Sequence, residues 1–177
     1  MFRQVKQATI FLGLTFQSES AQLSAIEFKN ESFEILFEQA IPSLSEIPKN
    51  LVEPFKGMEI GIGLPDTIAI HRTLTVDLDL SEEDFIETVQ LELARILPYR
   101  LEDAYWDCHR QENSNQVLVV AAPKKQILPY VEILRSLKLN LSLITFNHYA
   151  LKNLSQRTTQ HSLAVEIALE TREHHDY

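Results

Sequence analysis

A chain of 177 residues has room for one domain, or for two small lobes sharing a core, and 45% hydrophobic with 23% charged residues is the composition of an ordinary folded protein, not a disordered one. A net charge of -9 sets it against phosphate backbones and anionic lipid surfaces, so neither nucleic acid nor a membrane surface is an expected partner. Cys108 is the only cysteine, which excludes an intrachain disulfide, and no run reaches the ~18 apolar residues of a membrane helix.

Met1 to Gln7 carries Arg3 and Lys6 but no small-residue cleavage pattern of a signal peptide. A reducing cytoplasm is the expected compartment, and any work at a membrane has to go through a partner. Three β-prone segments follow, Ala8 to Phe16, Ala21 to Lys29 and Ser32 to Gln39, separated by the polar breaks Gln17-Ser18-Glu19 and Lys29-Asn30-Glu31. They predict an antiparallel meander. Pro42, Pro48 and Pro54 punctuate the next segment and leave room for a helical turn or two.

From Gly57 to Leu64, Ile60, Ile62 and Leu64 alternate with Gly61 and Gly63, which predicts a strand over whose glycines something packs closely. Leu64-Pro65-Asp66 turns the chain into a further strand, Thr67 to Val76. Ser81 with Asp84 reads as a capping box, and Phe85, Val89, Leu93 and Ile96 recur at helical spacing until Pro98 closes the segment. Ala104 to Arg110 and Gln116 to Ala122 predict two strands about the turn Asn113-Ser114-Asn115, the second apolar on both faces and hence central. A helix after Pro123 carries the stripe Ile127, Leu128, Val131, Leu134 and Leu137. A strand at Asn140 to Phe146, a helix near Asn147 to Ser155, a strand at Ser162 to Leu169 and a frayed end from Arg172 to Tyr177 complete the expectation.

Chemistry is sparse. Asp107-Cys108-His109 lines up a carboxylate, a thiol and an imidazole, but strand geometry sends neighbours to opposite faces and keeps the thiol from the imidazole. His174-His175-Asp176 at the terminus lacks the spaced partners of a tetrahedral metal shell, and His71, His148 and His161 stand isolated in the sequence. Gly61-Ile62-Gly63 lies within a strand, without the helix start that holds a pyrophosphate. Glu82, Glu83, Asp84, Glu87 and Glu92 read as the solvated face of a helix. No catalytic, cofactor or metal site is expected.

A family resemblance rests on motifs in order along the chain: Gly63-Leu64-Pro65, Arg72-Thr73-Leu74, Ser81-Glu82-Glu83-Asp84-Phe85, Glu92, Leu97-Pro98-Tyr99, Trp106-Asp107, Val117-Leu118-Val119-Val120-Ala121-Ala122-Pro123 and Phe146-Asn147-His148-Tyr149-Ala150-Leu151. Over roughly residues 59–151 the sequence resembles the PilM family of type IV pilus assembly proteins. That resemblance implies an α+β fold, an actin-like (ribonuclease H-like) first lobe at residues 1–76 and 146–177 with an inserted strand-helix-strand-strand subdomain at 77–145, similar to that of FtsA.

Upstream, Leu12-Gly13-Leu14-Thr15-Phe16-Gln17-Ser18 stands where the family resembles the first phosphate loop of actin-like folds, with Thr15 in place of the aspartate and Gln17 in place of the second glycine. The sequence stops near Leu169, where the family begins its second lobe, so half a nucleotide cleft is expected to be missing. By resemblance the chain is then no enzyme and holds no cofactor. It is expected to be a cytoplasmic adaptor, peripheral to the inner membrane, that docks the cytoplasmic tail of a PilN-like membrane protein. Self-association through the insertion follows by the same analogy. Arg72, Leu91, Tyr99 and Leu101, near the junction of lobe and insertion, are the expected partner contacts. The alternatives are a reduced actin-like ATP-binding protein completed by another chain, and an excised fragment.

Overall fold

The computed structural model describes residues 9–16, 20–29, 32–42, 47–77, 79–111, 114–156 and 161–175. The breaks 17–19 and 30–31, turn residue Asn113, the leading residues 1–8 and the final 176–177 lie outside the described residues. Two compact units result, Met1–Asp66 with Tyr130–Tyr177, and Thr67–Pro129.

In the first unit β1 (Thr9–Phe16), β2 (Ala21–Lys29) and β3 (Ser32–Ile41) form the expected antiparallel meander. After a short α1 (Lys49–Val52) and a 3-10 turn at Glu53–Phe55, β4 (Glu59–Leu64) runs parallel to β1. β8 (Asn140–Phe146) runs parallel to β4, giving the order β3-β2-β1-β4-β8. Ile26 pairs with Ile35 but Ala25 pairs with Phe37, so Leu36 is the extra residue of a bulge. The bulge reverses the facing of everything after it. Phe33 therefore meets Phe28, with ring centroids 6.0 Å apart, while Phe37 turns to the opposite face and meets Phe55 at 5.4 Å.

The expected strand at Ser162 to Leu169 is instead the start of α5 (Leu163–His175), which follows α4 (Asn147–Gln156); helix also replaces the expected fraying from Arg172 through His175. Ala164 to Leu169 are buried all round, Glu166 included, and a short run that is apolar at all its other positions reads alike as a core strand or a core helix. The deciding fact lies elsewhere in the chain. Gly13 on β1 pairs with Gly61 on β4, and α5 lies directly over both. A Cβ on Gly13 would sit 1.9 Å from the Ala164 carbonyl oxygen, and one on Gly61 would sit 2.0 Å from Thr171 Oγ1. Close cover over Gly61 and Gly63 was the expectation, and α5 supplies it. Around it Phe11, Ile26, Val165, Ala168 and Leu169 form a buried cluster.

The second unit is a strand-helix-strand-strand motif: β5 (Ile70–Thr75), α2 (Glu82–Ile96), β6 (Ala104–Arg110) and β7 (Gln116–Pro123), with sheet order β5-β7-β6. β7 is central, as its two apolar faces require. Ser81 caps α2, its Oγ accepting from Asp84 N at 3.2 Å and donating to Asp84 Oδ2 at 2.6 Å. Phe85, Val89, Leu93 and Leu97 pack on Val117, Val119 and Ala121, and the Arg110 guanidinium lies 4.1 Å from the centre of the Phe85 ring.

The unit boundaries depart from the expected 76/77 and 145/146. β5 belongs with the second unit because its partner is β7, and β8 belongs with the first because it pairs with β4. The second division falls inside α3 (Lys124–Ser136), at its internal Pro129. In the stripe expected for this helix, Ile127, Leu134 and Leu137 are buried, but Leu128 is exposed.

Candidate functional site

In open α/β sheets ligands bind beyond the carboxyl ends of parallel strands. In the first unit that end is built by β1, β4 and β8. Thr15 pairs with Gly63, and Gly63 pairs with Thr145. Thr15 is completely buried, and its hydroxyl donates to Asn147 Oδ1 at 3.0 Å. Asn147, the first residue of α4, also donates from Nδ2 to the Phe16 carbonyl at 2.7 Å. Beside it Asp66 Oδ1 is hydrogen-bonded to His148 Nδ1, and both side chains are half exposed.

Asp66, Asn147 and His148 thus gather where no sequence motif announced a site. His148 looked isolated because its partner is 82 residues away along the chain. His161 is likewise paired, its Nε2 2.7 Å from the buried Glu166 carboxylate.

An actin-like fold implies a metal-bound nucleotide at this end, and the position of the family's first-loop carboxylate is held here by Thr15. A phosphate-bound metal and its waters are organised by a carboxylate, whereas Thr15 offers a neutral hydroxyl already spent on Asn147. Gln17 and Ser18 lie outside the described residues.

The expected partner contacts all belong to the second unit. Leu91, at 60% exposure, is an apolar side chain bare on the outer side of α2. On the same helix Glu82, Glu83, Asp84 and Glu87 are exposed, Glu87 one turn before Leu91, against the single basic Arg95, which pairs with Glu92 at 2.9 Å. Arg72 is exposed on the edge strand β5, its Nη1 donating to the His71 carbonyl at 2.8 Å. Tyr99 and Leu101 are drawn in against the core cluster of the unit and are only partly accessible. Burial pushes the Tyr99 phenol up, and its hydroxyl has no hydrogen-bond partner among the described residues. The structure therefore brings Tyr99 and Leu101 together on one cluster and leaves Leu91 and Arg72 outward.

Asp107-Cys108-His109 behaves as strand geometry requires. Cys108 packs against the core cluster while Asp107 and His109 are exposed, and Asp107 Oδ1 accepts from the Cys108 backbone N–H at 2.8 Å. Burial, helped by the Asp107 and Glu82 carboxylates and opposed by Arg110, raises the thiol above its ordinary pKa, away from a nucleophile's. The side chains of His174, His175 and Asp176 lie outside the described residues. Among those residues no helix is long and apolar enough to cross a membrane.

Two solved structures share this architecture. The cytoplasmic domain of EpsL, an inner membrane component of the type II secretion system of Vibrio cholerae, matches with a TM-score of 0.62 and 11% identity, over 80% of this chain and 59% of that one. The PilM-PilN type IV pilus biogenesis complex matches with a TM-score of 0.62 and 18% identity, over 79% of this chain and 48% of that one. This chain thus spans about half to three fifths of their lengths. The fold is the actin-like first lobe with its inserted strand-helix-strand-strand subdomain. No curated protein sequence matches at a significant level. The model of the type IV pilus assembly protein PilM family, however, matches residues 33–168, from β3 through both units into α5, and the chain belongs to that family.

Proposed function

We propose that this protein is a docking adaptor in the inner-membrane platform of a type IV pilus or related secretion machine, holding the cytoplasmic tail of a PilN-like membrane protein and performing no catalysis. The observation that carries the reading is the family match joined to a fold shared with a structure of a PilM-PilN complex. In this reading the chain works in the cytoplasm and reaches the membrane through its partner.

Leu91 is the apolar anchor of the docking surface and the acidic residues of α2 select a tail with basic residues; Arg72, Tyr99 and Leu101 complete it. A peptide binding as an extended segment or short helix draws affinity from a few such anchors. The test is titration of the full chain with a synthetic peptide of the cytoplasmic tail of a PilN-like protein. Saturable binding weakened by salt is expected, and absence of binding to the folded chain overturns the adaptor role. Calorimetry with magnesium and ATP tests the rival, a nucleotide-binding lobe completed by another chain; a clear isotherm favours it.

A further inference from the structure

The carboxyl end of β1 is held by one side chain from another element. The Asn147 carboxamide is oriented without ambiguity, because the Phe16 carbonyl can only accept and so must face Nδ2, which leaves Oδ1 to the Thr15 hydroxyl. Gly63 makes the room. A Cβ at that position would lie 2.7 Å from Asn147 Oδ1 and 2.3 Å from Ile167 Cδ1. One amide therefore ties β1 to the start of α4 across the backbone of β4, at the end of the sheet where open α/β folds accept ligands.

We infer that Asn147 is a built-in closure of this end of the lobe, its Oδ1 taking the Thr15 hydrogen bond that a bound oxyanion would otherwise take while its Nδ2 anchors the carboxamide on the Phe16 carbonyl. An oxyanion arriving there would have to accept from Thr15, which is completely buried and already donating, and it would have to displace an oxygen tethered to the protein. An internal group loses no translational freedom on binding, so it competes at a high effective concentration. The closed end is ordered by the chain itself and needs no ligand. This goes beyond the adaptor reading, which concerns the second unit, and it can fail separately from it.

The test is thermal unfolding of the full chain and its variants, with and without millimolar Mg-ATP or inorganic pyrophosphate. The wild-type melting temperature should not move with either additive, and Asn147→Ala should lower it by roughly 3–8 °C. Asn147→Asp, which sets a carboxylate oxygen against the Phe16 carbonyl, should also lower it. Should Asn147→Ala fail to fold, Thr15→Val, which removes only the hydroxyl, is expected to lower the melting temperature by a smaller amount. An Asn147→Ala protein as stable as the wild type overturns the inference, as does an unchanged Thr15→Val. A wild-type melt raised by Mg-ATP or pyrophosphate and no longer raised in Asn147→Ala overturns it from the other side, by making Asn147 a ligand-binding residue.

Discussion

The Glu166 carboxylate is completely buried within α5 and lies 2.7 Å from Nε2 of His161, whose ring stands edge-on to Phe33 with centroids 5.9 Å apart. A buried polar group depends on its hydrogen-bond partners, and leaving one unsatisfied costs more than the bond itself contributes. His161→Ala should therefore cost about 2 kcal/mol of stability by denaturant unfolding. The double replacement Glu166→Leu with His161→Phe should cost clearly less than that single change. Equal losses would show that the pair is not coupled.

Gly13 and Gly57 make a second test, because they are needed for different reasons. At Gly13 an added methyl meets the α5 backbone, which cannot move aside as a flexible side chain would. Gly13→Ala should destabilise by about 3 kcal/mol or more and loosen α5 in hydrogen exchange. Gly57 has φ of 79° with nothing near its absent Cβ, so Gly57→Ala should cost only about 1 kcal/mol, and Gly57→Asn less. The urea midpoints of the variants check the order.

Cys108 predicts a pH dependence. Its raised pKa means that the folded state holds the thiol proton more tightly than the unfolded chain does. The stabilisation is complete below the unfolded thiol's pKa and is lost as pH rises through the folded value, from about pH 8.5 upward. Tyr99, raised by burial, acts with the same sign at higher pH. At pH 8 the thiol should react with iodoacetamide several-fold more slowly than free cysteine, and Cys108→Ser should flatten the alkaline limb of the stability profile. A rate equal to that of free cysteine would contradict the burial.

The docking surface is tested at Leu91. Because the side chain is mostly exposed, Leu91→Lys should leave the melting temperature within about 1 °C while weakening the tail peptide about tenfold. Leu101→Ala and Tyr99→Ala reach into the core cluster and should lower both stability and binding, whereas Arg72→Ala should affect binding alone. A Leu91→Lys protein with unchanged affinity removes that residue from the surface.

Much was legible because some signals are local. A serine before an acidic turn caps a helix wherever it occurs, and Ser81 does so. Alternation read β6 and β7 correctly, and the doubly apolar β7 proved central. The bulge at Leu36 was hidden, since the odd-numbered Phe33, Ile35 and Phe37 look like one face until pairing with β2 shows the extra residue. Where the two compact units divide was hidden for a similar reason: β5 and β8 look alike as strands, and only their partners assign them.

By itself the sequence determined the periodic elements, the capped helix, the family, and glycines in β4 that call for close cover, because hydrophobic spacing and backbone chemistry act over a few residues. The tertiary structure alone decided that the buried run Ala164 to Leu169 is helix, that His148 faces Asp66 and His161 faces Glu166, and that Asn147 closes on Thr15. The physical reason is separation. Asn147 and Thr15 lie 132 residues apart, and only folding supplies the packing energy and the unsatisfied hydrogen bonds that choose among conformations the local chain leaves open.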